Sequence, residues 1–272
     1  MQYAMIIDLE RCVGCHACTI ACTAEWEVPV EFHRNWVHRL GPSWVGKEIA
    51  STYYPGLCNH CGEPACVPEC PADPVEMTFK DPKTGKTVTM EVAATWKDPI
   101  DGTVQIDKGR CLGCGACVDA CPYQARYINP ALTDEVSSDG KADKCTFCQP
   151  RVAAGAEPAC VQTCITGARI FGDLDDPNSE VAKYVNKGVT SIEPNGGNFK
   201  PNTRYYSKKK EKDIALLLST STPQLADLAQ VRRRAMLATL VKPAKDAVKK
   251  IGVLGMVGAI AVKALSDMDK NK

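Results

Sequence analysis

The chain has 272 residues, with 44% apolar and 6% aromatic side chains and a formal net charge of +1. That length allows one large domain or two small ones, and the apolar content allows a packed core. The near-neutral balance gives no argument for nucleic acid or another polyanionic partner.

Sixteen cysteines raise three readings: disulfides, zinc or iron–sulfur clusters. A secreted disulfide scaffold is usually short and opens with a signal peptide. Met1–Asp8 has neither a basic n-region nor a long apolar stretch, and no twin-arginine pair stands near it. The Arg232-Arg233-Arg234 run comes too late to serve as an export signal.

Along the chain, residues 4–8 read as a strand of alternating and β-branched residues leading into the first cysteine block, Cys12, Cys15, Cys18 and Cys22. The second block is Cys58, Cys61, Cys66 and Cys70. Residues 72–104 form an insertion in which Asp81–Gly85 reads as a hairpin turn between strands at 77–79 and 87–90. Residues 102–107 predict a second strand before the third block, Cys111, Cys114, Cys117 and Cys121. The fourth block is Cys145, Cys148, Cys160 and Cys164. Asp8 and Asp107 stand just before Arg11-Cys12 and Arg110-Cys111. A short helix is expected after Cys18 and after Cys117, and strands at 125–128 and 167–171. Strand, cysteine loop, helix, strand is the order of a ferredoxin-like unit.

Behind the fourth block, Gly172–Pro177 predicts a loop that opens a helix, with Asp176 as cap and Pro177 in the first turn. Residues 186–203, rich in Asn, Gly and Pro, read as irregular chain. Lys208–Lys212 is a charge run of the kind found on solvated faces. Leu225, Leu228, Val231, Leu237 and Leu240 follow helical spacing over 224–241. Ile251–Val262 is a run of 12 uncharged residues, short of the roughly 20 a bilayer span needs. Lys249, Lys250 and Lys263 could extend it by snorkelling, and Gly252, Gly255 and Gly258 allow close helix contact. Three readings stay open for it: an anchor on the membrane or a membrane subunit, a single span, or a buried helix.

The chemistry lies in the cysteine spacing. The first and third blocks are C-x2-C-x2-C-x3-C, the spacing of bacterial two-cluster ferredoxins. There, three cysteines wrap one cluster and the fourth ligates the other. Each iron of a cubane needs one external soft ligand, hence four thiolates. The second block, C-x2-C-x4-C-x3-C, and the fourth, C-x2-C-x11-C-x3-C, lengthen one gap and keep the end. Pro71 and Pro122 follow Cys70 and Cys121. The fourth block alone suits zinc, but cysteines at three-residue steps crowd a single tetrahedral ion. Cys12–His16 matches a haem-attachment signature, yet haem would leave Cys18 and Cys22 outside a complete quartet. His16 and His60 lie inside blocks and read as loop residues near a cluster, with hydrogen bonds that tune it. His33 and His38 read as ordinary histidines. No phosphate loop, dinucleotide fingerprint or nucleophile elbow appears.

Four quartets in this order, the long gap in the fourth and Phe171–Pro177 behind it resemble the four-cluster electron-transfer subunits of complex iron–sulfur molybdoenzymes, of the dimethyl sulfoxide, polysulfide, thiosulfate, tetrathionate and arsenate reductase type. The resemblance covers roughly residues 3–185. It implies an α+β fold of tandem ferredoxin-like halves over 1–185, to which the residues themselves add a β-hairpin insertion at 72–104, a linker at 186–213 and, departing from the family, a C-terminal helical tail at 214–272 that carries a membrane- or partner-binding segment at 251–265. It implies four [4Fe-4S] clusters with exchanged fourth ligands: Cys12, Cys15, Cys18 with Cys164; Cys145, Cys148, Cys160 with Cys22; Cys58, Cys61, Cys66 with Cys121; Cys111, Cys114, Cys117 with Cys70. In nitrate reductase relatives a tryptophan replaces the second cysteine of the third block, whereas Cys114 is present here.

The resemblance further implies a non-catalytic wire between a molybdopterin-type subunit and an integral membrane quinone-binding subunit, on the periplasmic face of the cytoplasmic membrane, exported with a twin-arginine-bearing partner. Relatives usually end soon after the fourth block, so the tail keeps a second complex open: a menaquinone reductase fed by a multihaem cytochrome c. A free-standing soluble polyferredoxin and a zinc-stabilised scaffold are rivals from other classes.

Overall fold

A computed structural model describes residues 1–45 and 47–208. The helical and apolar segments expected at 214–272 lie outside the described residues.

In chain order the elements are β1 (Tyr3–Asp8), α1 (Ala17–Trp26), β2 (Asn35–Val45), β3 (Glu48–Leu57), β4 (Val75–Lys80), β5 (Thr87–Val92), β6 (Thr95–Lys97), β7 (Val104–Ile106), α2 (Ala116–Asp119), β8 (Tyr127–Asn129), β9 (Lys141–Asp143), α3 (Gln149–Ala153), α4 (Ala159–Gln162), β10 (Arg169–Asp173), α5 (Glu180–Gly188) and β11 (Thr203–Tyr206). The class is α+β, with mostly antiparallel pairs and short helices.

A three-stranded sheet in the order β10-β1-β11 organises the fold. Ala4, Met5, Ile6 and Ile7 are all 0% exposed, as expected of a central strand covered on both faces. Side chains alternate along it. Ile6 packs with Val181 and Tyr184 of α5, while Met5 and Ile7 enter a larger core with Cys18, Trp36, Leu57, Cys145 and Cys160. β1 and β10 run antiparallel with Ile7 opposite Arg169, and the Asp8 N–H donates to Ala168 O at 2.8 Å.

That register positions the outer blocks. Cys12 follows β1 and Cys164 precedes β10, so both emerge at the same end of the pair. α1 and α4 then pack side by side. Eight further strands form separate antiparallel pairs around this unit: β2 with β3, β4 with β5, β6 with β7, and β8 with β9.

Two expectations are corrected, and a third finding adds an element that none foresaw. The helix behind the fourth block begins at Glu180, capped by Ser179, whose Oγ accepts the Ala182 N–H at 3.1 Å. Asp176 instead closes a turn by accepting the Asn178 N–H at 2.9 Å, and Pro177 lies before the helix. Residues 186–203 are irregular for most of their length, but Thr203 opens β11, which pairs in parallel with β1. The stretch just before it is bonded to the second block, with the Gly62 N–H on Lys200 O at 2.8 Å and the Asn202 N–H on Asn59 O at 2.9 Å. Backbone pairing, which composition does not report, orders this Asn- and Gly-rich stretch. Third, β2 and β3 form a long hairpin that the residue pattern does not announce. Its register shifts between Leu40 and Ser43, at Gly41 and Pro42.

Candidate iron–sulfur cluster sites

The first and third blocks open with the same device. Asp8 Oδ1 accepts the Glu10 N–H at 3.0 Å, and Asp107 Oδ1 accepts the Gly109 N–H at 2.8 Å. Their carbonyl oxygens then accept the N–H of Cys12 at 3.2 Å and of Cys111 at 3.1 Å. Each loop turns twice through the left-handed region, at Gly14 and His16 in one and Gly113 and Gly115 in the other. Such turns gather backbone N–H groups into a concavity suited to anionic sulfur. His16 therefore stands where the third block has Gly115. A Cβ on Gly14 would lie 2.2 Å from the Tyr53 ring, and one on Gly113 would lie 2.2 Å from Gly140 O, so both glycines are required by space as well as by φ.

The sixteen thiols gather across the blocks. Cys12, Cys15, Cys18 and Cys164 line one cavity of about 370 Å³, together with His16 and Arg169. Cys22, Cys145, Cys148 and Cys160 line a second of about 280 Å³. Cys70, Cys111, Cys114 and Cys117 line a third of about 340 Å³. Cys61 faces Cys58, Cys66 and Cys121, and Cys121 in turn faces Cys58 and Cys66. Each group takes three cysteines from one block and one from another. Cys18 and Cys22 lie one turn apart on α1, on one buried face, and open into two different cavities.

The groups form a line. Cys160 of the second feels the charge of Cys18 in the first. Cys145 of the second feels Cys58 in the next, and Cys66 there feels Cys117 in the last. Exposure follows the same order. Cys22, Cys145, Cys148 and Cys160 are all buried, whereas the two end groups each carry one exposed thiol, Cys15 and Cys114.

The donor chemistry fits cubane clusters. Burial pushes the Cys22 thiol up to about 12 and Cys121 to about 11, so these sulfurs need an electropositive ligand to become thiolates, which a coordinated metal supplies. Several sulfurs already accept hydrogen bonds: from Ala168 N–H to Cys164 at 3.2 Å, Phe147 N–H to Cys145 at 3.3 Å, Ala125 N–H to Cys121 at 3.4 Å and Ala142 N–H to Cys111 at 3.4 Å. Among the described residues, no three His, Cys, Asp or Glu side chains converge to hold a single metal ion. Three cavities each bring together four cysteine sulfurs, the donor set of a cubane cluster.

Comparison with known proteins agrees. Residues 49–174 match a 4Fe-4S dicluster domain and residues 3–24 a 4Fe-4S binding domain. The chain is 40% identical to a tetrathionate reductase subunit of Salmonella typhimurium over 200 residues, 72% of this chain and 69% of the relative. It is 39% identical to the thiosulfate reductase electron transfer subunit PhsB of Salmonella typhi over 186 residues, 68% and 81% of the two chains. With a polysulfide reductase subunit of Wolinella succinogenes it shares 36% over 186 residues, 68% and 83%. The chain therefore belongs to this family of iron–sulfur electron-transfer subunits.

As a family member it is a [4Fe-4S] protein, and its sixteen cysteines match the needs of four clusters. The two block histidines have local roles. His16 starts α1 and lines the first cavity. His60 is fully buried, accepts the Val104 N–H on Nδ1 at 2.9 Å and stacks on Phe147 at 3.8 Å. Burial, with Lys144 and Arg126 beside it, lowers His60 well below the usual imidazole range, so it is neutral. His33 and His38 are lowered by burial too. Sequence reasoning missed Trp26, Arg126, Lys144 and Arg169, all of which touch or face cysteines; no spacing rule marks them. Among the described residues, no helix is long and apolar enough to cross a membrane.

Proposed function

We propose that this chain passes single electrons along four [4Fe-4S] clusters, between a molybdopterin-type or cytochrome-linked subunit and a quinone-binding membrane subunit, at the periplasmic face of the membrane. The ligand sets are Cys12, Cys15, Cys18, Cys164; Cys145, Cys148, Cys160, Cys22; Cys58, Cys61, Cys66, Cys121; and Cys111, Cys114, Cys117, Cys70. The observation that carries the reading is the line of four cross-block cysteine groups, with no exposed thiol in its two inner members and one at each end. A wire needs accessible termini and an insulated middle.

The protein's own part is geometric and electrostatic. Thiolates from two blocks fix each group, backbone N–H groups support the sulfurs, and burial keeps solvent from the inner sites; together these set the potentials. The two ends also carry the apolar contact surface a partner would cover. Val13 and Ile165 are 53% and 75% exposed next to Cys12 and Cys164, and Leu112 is 45% exposed next to Cys111. The relatives named above are subunits of tetrathionate, thiosulfate and polysulfide reductases, which supports a place in a complex of that kind.

The test is purification from native membranes in mild detergent, followed by mass spectrometry and iron analysis. Recovery with a molybdopterin-type subunit and a multi-span membrane subunit, with sixteen irons per chain, is the expected result. Recovery alone as a brown soluble protein would replace the membrane-complex reading with a free polyferredoxin. A colourless protein would sink both.

A further inference from the structure

Three of the most deeply buried charged side chains in the described residues are cations set among the cysteines. Arg126 is 0% exposed, Lys144 1% and Arg169 3%. Buried charges persist only when paired, and each of these three faces cysteine sulfurs that become thiolates when a cluster is bound.

Arg169 lines the cavity of Cys12, Cys15, Cys18 and Cys164, and its Nη1 lies 3.9 Å from Cys160 Sγ of the next group. Lys144 precedes Cys145 in sequence and donates from Nζ to Cys145 O at 2.7 Å and to Val104 O. Its charge faces Cys145 of the second group and Cys58 and Cys66 of the third. Arg126 donates from Nη2 to Thr95 Oγ1 at 2.9 Å, and Thr95 lines the last cavity. Arg126 also bonds Cys117 of that group and faces Cys58 and Cys66 of the third. Each gap in the line of four therefore holds one cation, and each cation faces sulfurs on both sides of its gap.

We propose that Arg169, Lys144 and Arg126 are intercluster counter-ions, one per gap, each raising the reduction potential of both clusters it separates. The inference rests on the cluster reading above. Each electron arriving adds one negative charge to a site already ligated by four thiolates, and adjacent reduced sites repel. A cation shared by two neighbours in a poorly screened interior favours the electron on either one. It therefore eases occupancy of both sites without favouring one direction of transfer.

The experiment uses the full-length protein isolated with its clusters from native membranes. Arg169→Gln, Lys144→Gln and Arg126→Gln are compared with the charge-keeping Arg169→Lys, Lys144→Arg and Arg126→Lys. Iron content is measured first, then midpoint potentials by spin-resonance redox titration. Fewer than sixteen irons in the unsubstituted protein would refute the cluster reading itself, apart from this inference. With full iron, each neutral variant should lower two potentials by about a tenfold change in the reduction equilibrium, 59 mV for one electron. The other two should stay in place. The affected pairs should overlap in series, with Arg169 and Lys144 sharing one cluster and Lys144 and Arg126 sharing another. The charge-keeping variants should retain all four values. A neutral variant that loses iron, with iron restored by its charge-keeping counterpart, also supports the role. Potentials that do not move, that move all together or that move at one cluster only overturn it, as does iron loss that the charge-keeping variant fails to restore.

Discussion

Trp26 points its indole Nε1 at Cys148 Sγ, 3.3 Å away, and the Arg34 guanidinium lies 4.1 Å over the same indole. Arg34 is in turn held by Asp143 through two bonds of 2.9 and 2.7 Å. A cysteine of the second group is thus linked through an aromatic ring to a buried ion pair on β9.

An N–H donor to a cluster sulfur favours the reduced, more negative state. Replacing Trp26 with Phe keeps the ring and removes the donor. With a net hydrogen-bond contribution of about 1 kcal/mol, the potential of the cluster held by Cys22, Cys145, Cys148 and Cys160 should fall by about 40 mV. Spin-resonance redox titration reads this directly, and an unmoved potential would mean the contact is only packing.

Asp143 is 1% exposed and accepts bonds from Arg34, from Lys108 Nζ at 2.7 Å and from Tyr127 Oη at 2.6 Å. Burial works against its charge, but Lys108 and Arg34 prevail and lower its pKa to about 2. A depressed carboxylate contributes stability that is complete above its unfolded pKa near 4 and is lost as pH falls through about 2. The contribution is roughly 2 kcal/mol. Denaturant melts at stepped pH should show it draining away between about pH 4 and pH 2. Asp143→Asn should abolish that window and cost about 3–5 kcal/mol at neutral pH, since Arg34 stays buried without its counter-charge.

The exchanged ligands make a test of their own. Cys164→Ser should remove the cluster of the first block, not that of the fourth, leaving twelve irons. Adding Cys12→Ser to it should remove no further iron, because both changes strike one site. Adding Cys148→Ser should cost a second cluster. A loss of two clusters in the first pair would refute the exchange.

Ser179→Ala deletes the side-chain cap of α5 and should cost about 1 kcal/mol. Because Val181 and Tyr184 pack on Ile6 of the central strand, the loosening should appear as faster amide exchange at Ala182, with no change in any cluster potential.

The sequence was most legible where chemistry constrains spacing. Cysteine steps located the loops, and the β-branched run at 4–8 marked the strand that became the centre of the sheet. The long hairpin escaped notice because Gly41, Pro42, Pro55 and Gly56 are residues that normally argue against a strand. Here Gly41 and Pro42 fall where the register shifts. β11 escaped because a four-residue strand is specified by its partner, β1, which lies almost two hundred residues away. Arg126, Lys144 and Arg169 were illegible for a related reason: a basic residue in sequence gives no sign that its surroundings will be thiols.

The pairing of β1 with β10 has a consequence for biogenesis. Under the proposed ligand sets, the two clusters built from the second and third blocks have all their ligands once Cys121 has left the ribosome. The set begun by Cys12, Cys15 and Cys18 waits for Cys164, about 150 residues later. At about 5–20 residues per second that is roughly 7–30 s, during which the earliest thiols made stand open to oxygen or the wrong metal. The far half of the wire can be loaded co-translationally, while its first cluster is a late step that depends on the nascent polypeptide closing on its own start.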